Sequence, residues 1–350
     1  MRILPIVARL RARFLGNTPF SNSASQIVEL EPAVDRVQPA AIALPGELDR
    51  MVAVHEETTL AIELERLKEG IRQHGATIAY RIENAVLGQG SLYFDGGYEI
   101  IRRSTRPLLS RDQKYFAEIQ LCTNYVIDRY FGHWLIDGLL SELLAARRSL
   151  PGLSLTGTPW LHEPGYRELC GLQVARSDNA WIDRLWVIDD RGINDSWISR
   201  MKELRRCVRS RVDQNGTKRV MLTRGTLGAK RNLVNFPEVR EALDKLGFEI
   251  VNPEWETPQS IVEKLSGVEI AIAVEGSAQC HCWLAMPPRS TFVAIQPPTR
   301  FNANGKDRAD ALGINWAFVI ADPHPDGFYL PIEHFLRTID EVVRVAGTRA

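Results

Sequence analysis

The chain has 350 residues, long enough for two domains with large cores, and its 43 basic side chains balance 43 acidic ones. That balance excludes a global basic field for nucleic acid and the acidic excess that keeps chains disordered. The five cysteines show no CxxC spacing, which fits reduced thiols in a cytoplasmic protein better than a disulfide framework; no apolar run reaches the ~18 residues of a membrane span, and none resembles a secretory signal.

Residues 1–16 (MRILPIVARLRARFLG) combine Arg2, Arg9, Arg11 and Arg13 with Ile3, Leu4, Ile6, Val7, Leu10, Phe14 and Leu15. Such a basic amphipathic helix can rest on an anionic membrane surface; the plainer expectation is a helix packed on its domain. Residues 17–46, rich in Ser, Pro and Ala, read as a linker, so 1–46 are set apart as N-terminal helix and linker. Leu60, Leu64, Leu67 and Ile71 predict a surface helix over 55–74, with Gly75 as its stop. Short alternating segments over 76–122 predict antiparallel strands decorating the first domain.

A helix is then expected from Tyr130 to about Arg148. His133 and Asp137 stand four apart on one face, with Leu140 and Leu144 continuing the stripe. Polar side chains there need partners or a chemical role; a histidine held by a carboxylate one turn away meets the first requirement without the second. Strands at 158–162 and 181–188 alternate with helices at 164–171 and 195–211, the pattern of a parallel sheet. Asp189 and Asp190 are adjacent and would point to opposite faces of a strand, which argues against a metal pair, and the chain has no Asp-x-Asp.

The polar stretch 214–217 marks the expected domain boundary, giving lobes at 47–214 and 215–350. Beyond it, strands are predicted at 218–223, 248–251, 268–274, 291–295 and 316–320. Helices are predicted from Asn235 to Gly247, with capping-box chemistry between Asn235 and Glu238, and at 258–265 and 331–345. The run 268–274 breaks at Glu275-Gly276-Ser277, where Ser277 would cap a helix carrying Cys280, Trp283 and Leu284. Arg224, Lys230 and Arg231 lie in a Gly-rich loop after a strand, and could converge with that helix start on a diphosphate. Cys280-His281-Cys282 is a poor metal site, because neighbours on a helix diverge. Neither GxxxxGK[ST] nor GxGxxG occurs. The expected fold is α/β: two Rossmann-like lobes with antiparallel β decoration on the N-terminal lobe.

Gly132-His133-Trp134-x-x-Asp137, taken with Thr223-Arg224, Arg231-x-Leu233-x-Asn235, Gly247-Phe248 and Glu275-Gly276-Ser277, resembles glycosyltransferase family 61, the capsular-polysaccharide type, over about residues 119–298. The resemblance implies a two-lobed GT-B transferase that inverts the sugar and does not depend on an Asp-x-Asp metal motif. It implies donor-side roles for Arg224, Lys230, Arg231, Asn235, Gly276 and Ser277, and a base from His133 and Asp137, with Glu275 next in line. No cofactor is expected beyond a nucleotide-sugar co-substrate, a UDP-sugar first among them. The partners implied are a glycan or lipid-linked glycan acceptor and no nucleic acid, in the cytoplasm at the inner membrane surface, with residues 1–16 as a peripheral contact. Family members often carry His-Gly-Ala where this chain has Glu275-Gly276-Ser277, and an acidic residue where it has Phe236, departures that bear on the donor. The rival classes are a non-catalytic carbohydrate-assembly protein that keeps the fold and another nucleotide-dependent α/β enzyme.

Overall fold

The computed structural model describes residues 5–103, 113–157, 160–214, 216, 218–225 and 231–349. The chain divides into two units, Met1–Val34 with Gln73–Lys202 and Asp35–Arg72 with Glu203–Ala350.

In the first unit, β1 (Gln26–Glu31), β2 (Thr77–Gly88), β3 (Ser91–Phe94), β4 (Gly97–Ile100), β5 (Lys114–Leu121), β6 (Gly152–Ser154), β7 (Ala175–Arg176) and β8 (Asn179–Asp189) build one sheet. Its order is β4-β3-β2-β8-β5-β6-β7, with β1 also on β2. The pairs from β4 through β2 to β8 are antiparallel, as is β1 with β2; those from β8 through β5 and β6 to β7 are parallel. Ile82, Leu87, Leu92, Ile119, Leu153 and Leu185 form the core beneath it. The Rossmann-like sheet expected for the N-terminal lobe is therefore half antiparallel. The strands expected as decoration are integral to it, because the 12 residues of β2 pair with β8 along nearly their whole length. The strand expected at 158–162 is corrected to β6; residues 160–162 form a turn and 158–159 lie outside the described residues.

The N-terminal helix spans Pro5–Leu15, with residues 1–4 of the expected helix outside the described residues. Pro5 and Ala8 are its buried positions, while Ile6, Val7, Leu10 and Phe14 are 42–77% exposed. Among the described residues no helix is long and apolar enough to cross a membrane.

The second unit carries β9 (Arg219–Leu222), β10 (Glu249–Val251), β11 (Ile270–Val274), β12 (Thr291–Gln296) and β13 (Asn315–Ile320), all parallel, in the order β10-β9-β11-β12-β13. Helices Phe236–Lys245, Pro258–Ser266, Gln279–Ala285 and Asn304–Ala311 join successive strands, and Ile332–Arg349 follows them. β11 and β12 are buried at every position, as strands covered on both faces must be. Met221, Leu243, Ile272, Val293, Val319 and Phe335 belong to the core.

Residues 35–72 join this unit. Ile42 bridges Ala317 and Val54 bridges Phe301, and Ile42 N–H donates to the Trp316 carbonyl at 2.9 Å. The helix expected at 55–74 is only Leu60–Leu67, started by Thr59, whose hydroxyl accepts from Ile62 N–H at 3.3 Å. Gly70–His74 is a strand paired with Val34–Gln38, and Ile71 is 75% exposed instead of continuing a helical stripe.

The division differs from the one expected at 214–217, of which 215 and 217 lie outside the described residues; it falls within the helix Asp195–Arg209. Buried arginines explain the difference. Arg200 donates to Asp190 at 2.7 and 2.8 Å and to the Leu140 carbonyl, fastening the first half of the helix to the first unit. Arg205 and Arg209 donate to the carbonyls of Trp283, Met286 and Ala285, fastening the second half to the second unit.

Candidate active site

Numbered within the second unit, its strand order is 2-1-3-4-5, so the connections leave in opposite directions from β9 and β11 and open a crevice at their carboxyl ends. Thr223 and Arg224 follow β9 there; Glu275 and Gly276 follow β11. Arg231 pairs with the Glu275 carboxylate at 3.1 Å and also donates to the Glu275 carbonyl. Arg300, beyond β12, donates to the same carboxylate at 2.8 Å, and Arg224 donates to the Glu275 carbonyl at 3.4 Å. One buried glutamate thus gathers three arginines from two loops, Arg224 and Arg231 from the one after β9 and Arg300 from the one after β12.

The carboxylates that act on these guanidiniums include Glu275, 4% exposed, and Glu254, whose carboxylate lies against Gly225 and acts on Arg224. Burial, opposed by Glu275 and reinforced by Arg224 and Arg300, pushes the Arg231 guanidinium down to about 10; burial lowers Arg224 as well. Both stay cationic near neutral pH. The buried Nε of Arg231 has no hydrogen-bond acceptor among the described residues. Such a site lowers its energy by taking an anion.

Gly276 makes the convergence possible. Its φ of 141° is one that side chains disfavour, and a Cβ there would overlap the guanidinium ends of Arg224 and Arg231. Gly276→Ala is expected to cost about 1–3 kcal/mol in backbone strain and to weaken inorganic pyrophosphate binding by displacing both arginines. A variant with the melting temperature and pyrophosphate affinity of the wild type would remove this role.

Two members of the cluster lie beyond what sequence reasoning finds. Arg300 carries no motif and is identified only through its bond to Glu275. His55, expected at the start of a helix, is buried in an extended segment beside Phe301, with its N–H donating to the Phe301 carbonyl at 2.9 Å. Its Nδ1 accepts from Glu57 N–H at 3.0 Å, and burial, with Arg300 adding to it and Glu275 opposing, holds its pKa below the ordinary value. The ring is therefore a neutral imidazole with its hydrogen on Nε2.

In the first unit, a short helix Phe131–His133 passes into a π turn, Trp134–Gly138, and then into the helix Leu139–Arg147. A π turn widens the ring of backbone bonds and recurs at functional sites. Across it, His133 Nδ1 lies 2.6 Å from Asp137 Oδ2, with both side chains about one-third exposed at 34% and 31%. An ionised carboxylate only accepts, so facing it Nδ1 carries the hydrogen, which in the neutral ring puts the lone pair on Nε2. Tyr130 lies 6.1 Å from the His133 ring, and Phe131 contacts Trp134, Trp160 and His162 at 6.0, 6.3 and 5.7 Å.

Other expected positions are placed differently. Ser277 is not the cap: the helix begins at Gln279, Ala278 holds the cap position without a side-chain bond, and Ser277 sits in the preceding turn. The capping box at Asn235 does not form either, because the Asn235 amide exchanges hydrogen bonds with the Leu330 backbone at 2.9 and 3.0 Å. Lys230 lies outside the described residues. Among the described residues no group of three or more His, Cys, Asp or Glu is placed to hold a metal.

Fold and site together define an α/β protein whose parallel-sheet unit presents an anion-seeking arginine cluster. Residues 131–293 match the family model described as Glycosyltransferase 61, and this stretch supports that family for the chain. A solved structure of a mutant flavo di-iron protein from Thermotoga maritima is similar at 11% identity with a TM-score of 0.27; the match covers 79% of this chain and 66% of that one. A likeness at that level carries no argument. No curated protein matches the chain.

Proposed function

We propose that this protein is an inverting, metal-independent glycosyltransferase that moves a sugar from a nucleoside-diphosphate donor to a glycan hydroxyl. The observation that carries the reading is the gathering of Arg224, Arg231 and Arg300 on Glu275 at the point where the strand order reverses, inside or beside the stretch that matches the transferase family. Sugar transfer strands negative charge on the departing diphosphate while the sugar is oxocarbenium-like. Fixed guanidiniums in a dry site can offset that charge as a divalent cation would. In this reading Arg224 and Arg231, with Lys230 of the same loop, hold the diphosphate; Gly276 lets the phosphates approach, and Ser277 follows on the same turn. Glu275 orients the arginines, while Asn235 braces the loop through Leu330. His133, oriented by Asp137, takes the proton of the acceptor hydroxyl.

The first unit is then the acceptor half and the second the donor half of a GT-B type enzyme, with the mixed sheet as the first unit's departure from the Rossmann pattern. A UDP-sugar is the first donor to try. The exposed Ile6, Val7, Leu10 and Phe14 of the helix Pro5–Leu15 support peripheral contact with a membrane and a lipid-linked acceptor in surface or capsular polysaccharide synthesis, while Arg9 packs over Tyr93 and Tyr98 and Arg11 pairs with Asp95.

Calorimetric titration with nucleoside diphosphates tests the donor site. Arg224→Ala should weaken binding by about 1.5–3 kcal/mol, the worth of a charge-assisted hydrogen bond, at unchanged melting temperature. Equal affinity in the variant would take Arg224 out of the site. Turnover that disappears with EDTA and returns with manganese would overturn metal independence.

A further inference from the structure

In the proposed donor site, the three arginines answer the phosphates, a recognition that a nucleotide and a free diphosphate share. Telling the two apart needs a flat apolar surface on the same edge of the sheet. Trp255 is the most exposed large hydrophobic side chain among the described residues, at 86%. A lone exposed apolar residue is ordinary on a protein surface; its place and its support set this one apart.

Trp255 ends a short 3-10 turn, Pro253–Trp255, directly after β10, the strand paired with β9. In a parallel sheet every carboxyl end lies on one edge, so this turn shares the edge with Arg224 and Glu275. The link is close: Thr223 N–H donates to the Val251 carbonyl at 2.8 Å, and the Glu254 carboxylate lies against Gly225. The turn is also fixed. Pro253 sets one dihedral, Asn252 Oδ1 accepts from Glu254 N–H at 3.0 Å, and Trp255 N–H donates to the Asn252 carbonyl at 3.0 Å. The backbone that carries the indole is therefore ordered before any ring stacks on it, which spares that part of the cost of binding.

We propose that Trp255 is the platform on which the base of the nucleoside diphosphate stacks, the base-binding element of the donor site. The inference rests on the reading of the arginine cluster as a diphosphate site. Stacking accepts any base face, so Trp255 contributes affinity for a nucleotide over a bare diphosphate, and choice among bases falls to neighbouring polar groups.

The test compares UDP, GDP and inorganic pyrophosphate binding to the full chain and to its Trp255→Ala and Trp255→Phe variants, by calorimetry and by quenching of tryptophan fluorescence. At least one nucleoside diphosphate should bind the wild type more tightly than pyrophosphate. In Trp255→Ala its affinity should fall about tenfold, the scale of one base stacked on an aromatic ring, while pyrophosphate binding stays unchanged. Trp255→Phe should keep most of the affinity and lose the nucleotide-dependent quenching. A nucleotide that binds Trp255→Ala as it binds the wild type would overturn the platform and leave the arginine site standing. Failure of all three probes to bind the wild type would overturn the arginine site and the platform with it.

Discussion

Replacing His133 by Ala, or Asp137 by Asn, is expected to lower turnover about 100-fold or more, the usual range for an acid-base group, with nearly unchanged melting temperature. In the proposed mechanism the 2.6 Å contact across the π turn sets a distinct task for each residue. Asp137 fixes the hydrogen on Nδ1, so the lone pair falls on Nε2, where an acceptor hydroxyl can be deprotonated. Asp137→Asn leaves the ring in place but can present its amide N–H to Nδ1, which selects the wrong tautomer. Both side chains are about one-third exposed at 34% and 31%, so neither variant opens a cavity. Steady-state rates and thermal melts decide the matter together. Variants that melt several degrees lower, yet keep activity in proportion to the folded fraction, would make the pair part of the scaffold.

Glu275→Ala should act on stability instead. Removing one partner of a buried ion pair leaves uncompensated charge, and here Arg231 and Arg300 would lose the carboxylate they share. Arg300 is 36% exposed and partly screened by water, which puts the expected loss near the lower end of the buried-pair range, about 3 kcal/mol. For a unit of this size that is a fall of roughly 6–12 °C in melting temperature. Inorganic pyrophosphate or sulfate should recover much of it by supplying the missing negative charge, and should raise the variant's melting temperature more than the wild type's. A variant that melts with the wild type but has lost turnover would return Glu275 to its alternative role as the base.

These sites are legible in the sequence to different depths. The parallel unit can be read strand by strand, since the apolar runs ending at Leu222, Val251 and Val274 are too short for helices and each is followed by a turn. Local spacing also suffices for His133 and Asp137, one turn apart. It fails where the partner lies far along the chain. His55 and Arg300 meet because separate segments pair through Val54 and Phe301, and no periodicity encodes that. It fails again where tertiary packing outweighs a local preference: Asn235 has the composition of a helix cap, yet its amide bonds to Leu330, and Ser277 stands two residues short of the helix it is expected to start. The mixed sheet of the first unit is hidden because β8 pairs antiparallel with β2 on one side and parallel with β5 on the other, and no local pattern encodes its partners. Only pairing along β2 and β8 distinguishes an integral strand from an ornament.

Pairing between Ile42 and Ala317 has a consequence for the timing of folding. Residues 35–72 leave the ribosome well before β13, the strand they pair with. At about 5–20 residues per second the wait is on the order of tens of seconds. Through that interval an unpaired segment must stay soluble, and the second unit cannot close until β13 has been made. Its nascent state therefore depends on holding that early segment free of other edges.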